Sequence, residues 1–97
     1  MPTIYYRTKD CRADYGFSFE QLSNGEWRAY IVSMPSYGSL NTDGHITHRY
    51  SDGDRKYVCW DTPLYSENDV RKIAAAWADL TQFYIRTGVT INQQIGK

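Results

Sequence analysis

The clearest pattern of hydrophobic and polar positions lies in the last third of the chain, where apolar residues recur at spacings of three and four. One face of this segment carries Val70, Ile73, Ala74, Trp77, Leu80, Thr81 and Tyr84. The opposite face carries Arg71, Lys72, Ala75, Asp79, Gln82 and Arg86. This spacing predicts an amphipathic α-helix with one side packed against the rest of the protein.

Local signals mark both ends of this helix. Ser66 is a favoured N-cap, Asp69 stands where a capping box has its second member, and Gly88 suits a left-handed C-cap. We therefore predict a helix from about Glu67 to Thr87, roughly 30 Å long at 1.5 Å per residue.

The preceding two-thirds of the chain is rich in β-branched and aromatic residues, which predicts strands. The predicted elements are an N-terminal strand, a hairpin turning at Asn24-Gly25 and a hairpin turning at Asp52-Gly53: Thr3–Thr8, Phe17–Leu22 with Trp27–Met34, and His45–Ser51 with Lys56–Asp61. The tail, Val89–Lys97, either adds a short edge strand through Val89–Ile91 or frays. The predicted fold class is α+β: an antiparallel sheet of four to five strands with one long C-terminal helix packed across one face. We treat residues 1–97 as a single domain.

The first hairpin has two possible registers. A two-residue turn at Asn24-Gly25 sets Phe19 opposite Tyr30, whereas a three-residue turn with a bulge at Gly25 sets Glu20 opposite Arg28. A slip of one residue exchanges the buried and exposed faces. We favour the second register because it leaves a Glu20–Arg28 ion pair in solvent and gathers the apolar residues on one face: Phe17, Phe19, Trp27, Ala29 and Ile31.

Charge narrows the range of functions. Eleven basic and eleven acidic residues cancel, whereas nucleic-acid binders usually carry a basic excess. A net charge of zero also favours self-association. No apolar run reaches the length of a membrane span, and the N-terminus has no signal-peptide core. We therefore expect a soluble, cytoplasmic protein without membrane contact, in which Cys11 and Cys59 are free thiols.

Fifteen aromatic residues, nine of them Tyr, are more than 97 residues can bury, so we expect some rings on the surface. Arg49, Arg55 and Lys56 alternate with Tyr50, Tyr57 and Trp60, a mixture typical of stacking platforms for bases, sugars or methylated cations. Asp52 and Asp54 can instead neutralise this patch. Two further candidates are Tyr37, at the centre of the long 35–44 loop, and Phe83, on one flank of the helix.

Histidine and cysteine form another candidate site. His45 and His48 would point to opposite faces of a strand, so we expect no shared metal ion. Cys59 comes level with His48 across the second hairpin, with Asp61 two residues further on, which outlines a thiol nucleophile. The competing interpretation of Cys59 is a small core residue on a strand. No nucleotide-binding or hydrolase motif is present, so we predict no cofactor and lean against an enzyme.

One resemblance concerns element order. The stretch from Trp27-Arg28-Ala29-Tyr30-Ile31 through Tyr57-Val58-Cys59-Trp60 to the Ala-rich helix Ile73–Leu80 resembles the AP2-type DNA-binding domains. Those domains have three strands and a helix and place the sheet in the major groove, so the resemblance implies DNA binding by the sheet. The long middle loop, the extra N-terminal strand and the zero net charge depart from that pattern. Similarity of fold by itself does not assign a function.

Together these patterns predict a non-enzymatic module that binds a protein partner, including a second copy of itself as a homodimer. Nucleic-acid binding through an Arg/Tyr sheet face is one alternative, and a small-ligand or thiol-dependent site near Cys59 and His48 is another. No catalytic or metal-binding residue is predicted. The predicted binding residues are Tyr37, His48, Arg49, Tyr50, Arg55, Tyr57, Trp60 and Phe83.

Overall fold

A computed structural model of the chain describes residues 2–96. Its elements, in chain order, are β1 (Ile4–Arg7), β2 (Asp14–Gln21), β3 (Trp27–Ser33), α1 (Gly44–Thr47), β4 (Arg49–Asp52), β5 (Arg55–Val58), α2 (Glu67–Thr87) and α3 (Ile91–Ile95). The strands form one antiparallel sheet in the order β1-β2-β3-β5-β4, and α2 packs against one face of it. The predicted α+β class, with an N-terminal strand, two hairpins and one long helix, is confirmed.

Helix α2 begins and ends at the predicted residues. The Ser66 hydroxyl accepts a hydrogen bond from the backbone N–H of Asp69 at 3.0 Å, and Gly88 closes the helix with a φ of 79°. The predicted inner face is buried, with Ile73 and Leu80 partly covered. Gln82, which we assigned to the outer face, is buried instead, because its side-chain carbonyl accepts a hydrogen bond from the Tyr15 hydroxyl at 3.1 Å.

The first hairpin adopts the register that we favoured. Glu20 lies opposite Arg28, and Gly25 supplies the positive φ, 92°, that the turn requires. Our prediction of an ion pair between Glu20 and Arg28 is wrong. Each of the two side chains pairs instead with a residue of the second hairpin. Arg28 pairs with Asp52, and Glu20 pairs with Arg55, since β5 and β4 follow β3 in the sheet.

The core is centred on Trp77, which is fully buried on α2. Its indole meets the rings of Tyr15 and Phe17 edge-on, with centroids 5.9 and 6.1 Å away. The indole N–H donates to the backbone carbonyl of Thr47 at 2.9 Å. This bond joins α2 to the turn that precedes β4.

Two segments form short helices where we predicted a strand or a frayed end. Residues 45–47 belong to the helical turn α1 and not to a strand, because the Asp43 side chain caps the N–H of His45 at 2.8 Å. The tail forms α3 in place of an edge strand or a frayed end, because Thr90 and Gln93 make a reciprocal capping box. The end of the predicted tail, Lys97, lies outside the described residues. Within residues 2–96, no helix has the length and apolar character needed to cross a bilayer.

Candidate functional site

The face of the sheet turned away from α2 carries three neighbouring tyrosines, which we call the tyrosine row: Tyr30 on β3, Tyr57 on β5 and Tyr50 on β4. Tyr30 pairs with Tyr57 in the sheet register, and Tyr57 pairs with Tyr50. Their ring centroids lie 5.6 and 5.7 Å apart. Because β4 is an edge strand, exposure rises along the row, from 3% for Tyr30 to 52% for Tyr50.

Arginines cover the first two rings of the row. The guanidinium carbon of Arg55 lies 3.6 Å from the ring centroid of Tyr30, and that of Arg28 lies 4.1 Å from the centroid of Tyr57. Both distances are those of cation–π contacts. Within residues 2–96, no cation lies over the third ring, that of Tyr50.

The same two arginines are neutralised by carboxylates. A terminal guanidinium nitrogen of Arg28 lies 3.3 Å from a carboxylate oxygen of Asp52. Arg55 forms an ion pair with Glu20, and this pair holds the pKa of the Glu20 carboxyl below its usual value. The two pairs carry no net charge between them. A phosphate backbone needs unpaired positive charge, so this geometry does not favour the nucleic-acid alternative or the DNA binding implied by the AP2 resemblance. Both remain untested predictions.

The exposed ring of Tyr50 stands between two depressions. The first, which we call the Trp groove, has a volume of about 220 Å³ and is lined by residues that include Trp27, Tyr57 and Trp60. The second, the histidine cleft, has a volume of about 510 Å³ and is lined by residues that include His45, His48, Arg49, Cys59 and Asn92. Tyr50 and Asp61 line both depressions. We call this combined region the Tyr50 corner.

The Trp groove exists because β5 and β3 separate after Tyr57. The chain leaves β5 at Val58, and it meets β3 again where the backbone N–H of Trp27 donates to the carbonyl of Leu64 at 2.7 Å. Trp60 is half-buried in the intervening segment. Two rings, those of Trp27 and Trp60, therefore border a gap in the sheet.

His48 organises the histidine cleft. It adopts a φ of 54°, the left-handed conformation in which its backbone N–H donates to the carbonyl of Gly44 and ends α1. Its Nε2 atom lies 2.8 Å from the side-chain oxygen of Asn92 on α3, and its carbonyl accepts the N–H of Cys59 at 2.8 Å. The predicted alignment of His48 with Cys59 across the second hairpin is thus present.

Among the described residues, the thiol alternative has no hydrogen bond between Cys59 and the imidazole that was expected to act as its base. The Cys59 thiol contacts the Tyr50 hydroxyl, and this contact raises the pKa of Tyr50. The imidazole of His48 bonds Asn92, and no hydrogen bond joins it to Cys59 in the described part of the chain. Cys59 is half-buried and follows the last residue of β5, so it is not a strand core residue. A nucleophilic role for Cys59 remains untested.

Our reason for expecting no shared metal ion at His45 and His48 is wrong in its geometry. His45 lies in the helical turn α1 and His48 follows it, so the two line the same cleft and do not point to opposite faces of a strand. Even so, nowhere in residues 2–96 do three His, Cys, Asp or Glu side chains come close enough together to hold a metal ion.

Tyr37 is a packing residue. Its ring centroid lies 6.1 Å from that of Tyr84, and the guanidinium carbon of Arg49 covers it at 4.9 Å. Its hydroxyl is buried, and burial raises the pKa of Tyr37. Arg49 is held there by the hydroxyl of Thr47 at 3.0 Å. The aromatic centre of the long loop is therefore covered and not displayed to solvent.

The predicted binding residues fall into separate groups. The Tyr50 corner contains Tyr50, Tyr57, Trp60, His48 and Arg49. Arg55 lies over the ring of Tyr30 in the tyrosine row. Tyr37 packs against Tyr84, and Phe83 is 40% exposed on α2. Because α2 covers the opposite face of the sheet, Phe83 belongs to a different surface.

Sequence reasoning missed several contributors to the corner, and Asn92 and Trp27 show why. Asn92 was placed in an edge strand or a frayed end, although the Thr90–Gln93 spacing of a capping box predicts a helix there. Trp27 was assigned only to the core face of its strand. Its second role depends on the gap between β3 and the segment after β5, which no local pattern predicts.

No family model matches this chain, and neither a curated protein nor a solved structure matches it. The functional argument therefore rests on the geometry of the Tyr50 corner.

Proposed function

We propose that this chain is a protein-binding module that receives its partner at the Tyr50 corner. The observation that supports the proposal is Tyr50, which is 52% exposed between two depressions, one of which is lined by Tyr57 and Trp60. Tyr and Trp are enriched at interface centres because they combine a large apolar surface with a polar group. A cytoplasmic location, where Cys11 and Cys59 stay free thiols, is part of this proposal.

The depressions suit side chains of a partner better than a whole small molecule. The Trp groove, at about 220 Å³, is smaller than the roughly 300–1,000 Å³ typical of small-ligand sites. The histidine cleft is larger, about 510 Å³, but none of the residues that line it is buried. A small ligand there would keep much of its surface in water, whereas a protein partner can cover the whole corner.

The test uses affinity measurements on a partner captured by a photo-crosslinking residue placed at position 62 of the full chain, where the exposed Thr62 lines the Trp groove. The purified partner is then titrated against Tyr50→Ala and against Tyr5→Ala as a matched control. Tyr5 is 65% exposed on β1, the opposite edge of the sheet. We expect Tyr50→Ala to weaken binding by about tenfold or more, as interface hot spots do. Equal effects of the two substitutions would exclude the Tyr50 corner as the binding surface.

A second copy of the chain is one form that this partner can take. Light scattering then gives twice the monomer mass, and Tyr50→Ala restores the monomer. If Phe83→Ser, and not Tyr50→Ala, restores the monomer, self-association uses the outer flank of α2 and the proposed surface for it is wrong.

A further inference from the structure

We infer that the partner places an arginine side chain on the ring of Tyr50, an inference that rests on the proposed protein-binding function. Two of the three rings in the tyrosine row already carry a guanidinium, at 3.6 Å on Tyr30 and 4.1 Å on Tyr57. Tyr50 is the next ring, 5.7 Å from Tyr57, and in residues 2–96 it has no cation. A partner's arginine completes the same pattern across the interface.

The charge around Tyr50 is complementary to such an arginine. Leaving aside Asp61, which makes an interaction of its own, the ionised side chains among residues 2–96 that line the two depressions are two acids, Glu26 and Asp43, and two bases, Arg28 and Arg49. Arg28 is already paired with Asp52. The corner therefore carries a negative excess, although the chain as a whole has a net charge of zero. Complementary charge at an interface steers association and selects the partner.

Arg49 does not supply the missing cation, although it precedes Tyr50 in β4. Its Nε atom donates to the Thr47 hydroxyl at 3.0 Å and a terminal nitrogen donates to the carbonyl of Thr42 at 3.3 Å. The guanidinium carbon lies over Tyr37, 4.9 Å from the ring centroid. These contacts point Arg49 under the loop and leave the Tyr50 ring open.

The row also favours arginine over lysine. A guanidinium is planar and weakly hydrated, so it can lie flat on an aromatic face, whereas an ammonium group is compact and strongly hydrated. Both cations that lie over rings of the row, those of Arg28 and Arg55, are guanidinium groups. The acids at the corner repel phosphates, so a peptide and not a nucleic acid is the partner that we commit to.

The experiment selects peptides from a displayed random library, with the full chain as bait and the Tyr50→Leu variant as counter-bait. We expect the peptides enriched on the unchanged chain to share an arginine. Replacing that arginine by citrulline, which keeps the shape and removes the charge, should weaken binding by about 2- to 30-fold. Tyr50→Phe should retain binding because the ring remains, and Tyr5→Leu should have no effect. In a double-mutant cycle, the losses from citrulline and from Tyr50→Leu should not add.

The outcomes separate the inference from the function it rests on. Peptides that depend on Tyr50 but lack arginine, or that tolerate citrulline, overturn the arginine inference and leave the binding module intact. If no peptide is enriched over the counter-bait and Tyr50→Ala leaves the partner's affinity unchanged, the arginine inference and the binding proposal both fail. Binding of an oligonucleotide in place of peptides, lost on Tyr50→Leu, also overturns the inference.

Discussion

The hydrogen bond from Trp77 to Thr47 allows a direct test of what holds the Tyr50 corner against the core. Trp77 is fully buried on α2, and its indole N–H donates to the carbonyl of Thr47 at 2.9 Å. Thr47, also buried, is the last residue of α1 and directly precedes His48. The substitution Trp77→Phe keeps an aromatic ring in the core but removes the only donor to this carbonyl that the described residues show.

The expected loss has two parts. A buried carbonyl left without a partner costs about 1–3 kcal/mol. The smaller ring also leaves a void, which adds about 1 kcal/mol. We therefore expect Trp77→Phe to lower the free energy of unfolding by about 2–4 kcal/mol, out of the roughly 5–15 kcal/mol typical of a domain. For a chain of this size the corresponding fall in Tm is roughly 10–30 °C.

Urea unfolding followed by far-ultraviolet circular dichroism measures this loss without relying on tryptophan fluorescence. Trp60→Phe is the matched control, because Trp60 is half-buried on the surface of the Trp groove, and there we expect a loss below about 1 kcal/mol. Hydrogen exchange adds a local measurement: the Cys59 amide, bonded to the His48 carbonyl, should exchange faster in Trp77→Phe. A loss below about 1 kcal/mol at Trp77 would refute the reasoning.

Three further changes test other parts of the fold. Ser66→Ala removes the N-cap of α2 and should cost about 1 kcal/mol in urea unfolding, with Ser66→Asp close to the unchanged chain; equal losses would contradict a capping role. Burial, followed by the hydrogen bond to Asp79, raises the pKa of Tyr6 to about 12. The neutral phenol is therefore favoured in the folded state. Its contribution to the free energy of unfolding is complete below about pH 10 and is lost as the pH rises through the folded pKa. Tyr6→Phe should flatten this alkaline fall in the free energy of unfolding. The Arg55 pair lowers the pKa of Glu20, so its contribution is present above the ordinary glutamate pKa of about 4.3 and falls away in acid; Glu20→Gln should flatten the acid limb, and an unchanged limb would count against the pair.

The parts of the fold that sequence reasoning predicted correctly are those with signals close together in the chain. Helix α2 has a long apolar stripe, an N-cap at Ser66 and a left-handed glycine at Gly88, so both ends follow from a few neighbouring residues. The register of the first hairpin follows from Asn24-Gly25 and from the alternation that faces Phe17 and Phe19 to the core.

The parts that it did not predict depend on contacts between distant segments. The ion partners of Glu20 and Arg28 follow from β5 lying beside β3, which neither strand shows by itself. The short helices α1 and α3 have too few residues for a periodic pattern, so only their caps at Asp43 and Thr90 mark them. The candidate site lies where these elements meet. The sequence therefore supplied five of the residues at the Tyr50 corner, but not the depressions that they line: Tyr50, Tyr57, Trp60, His48 and Arg49.

The two edge strands of the sheet show why exposure by itself does not define the site. Tyr5 on β1 is more exposed than Tyr50 on β4, 65% against 52%, so a rule based on exposed aromatics would choose Tyr5. The ring of Tyr5 lies against Gly16 on β2, so closely that a β-carbon at position 16 would stand only 3.0 Å from it. Part of the Tyr5 ring is therefore already covered by the neighbouring strand. Tyr50 ends a row of rings, contacts the Cys59 thiol and stands between two depressions with an acidic excess. The binding proposal therefore depends on neighbours and not on exposure, and the pair Tyr5→Ala and Tyr50→Ala separates these two explanations within one sheet.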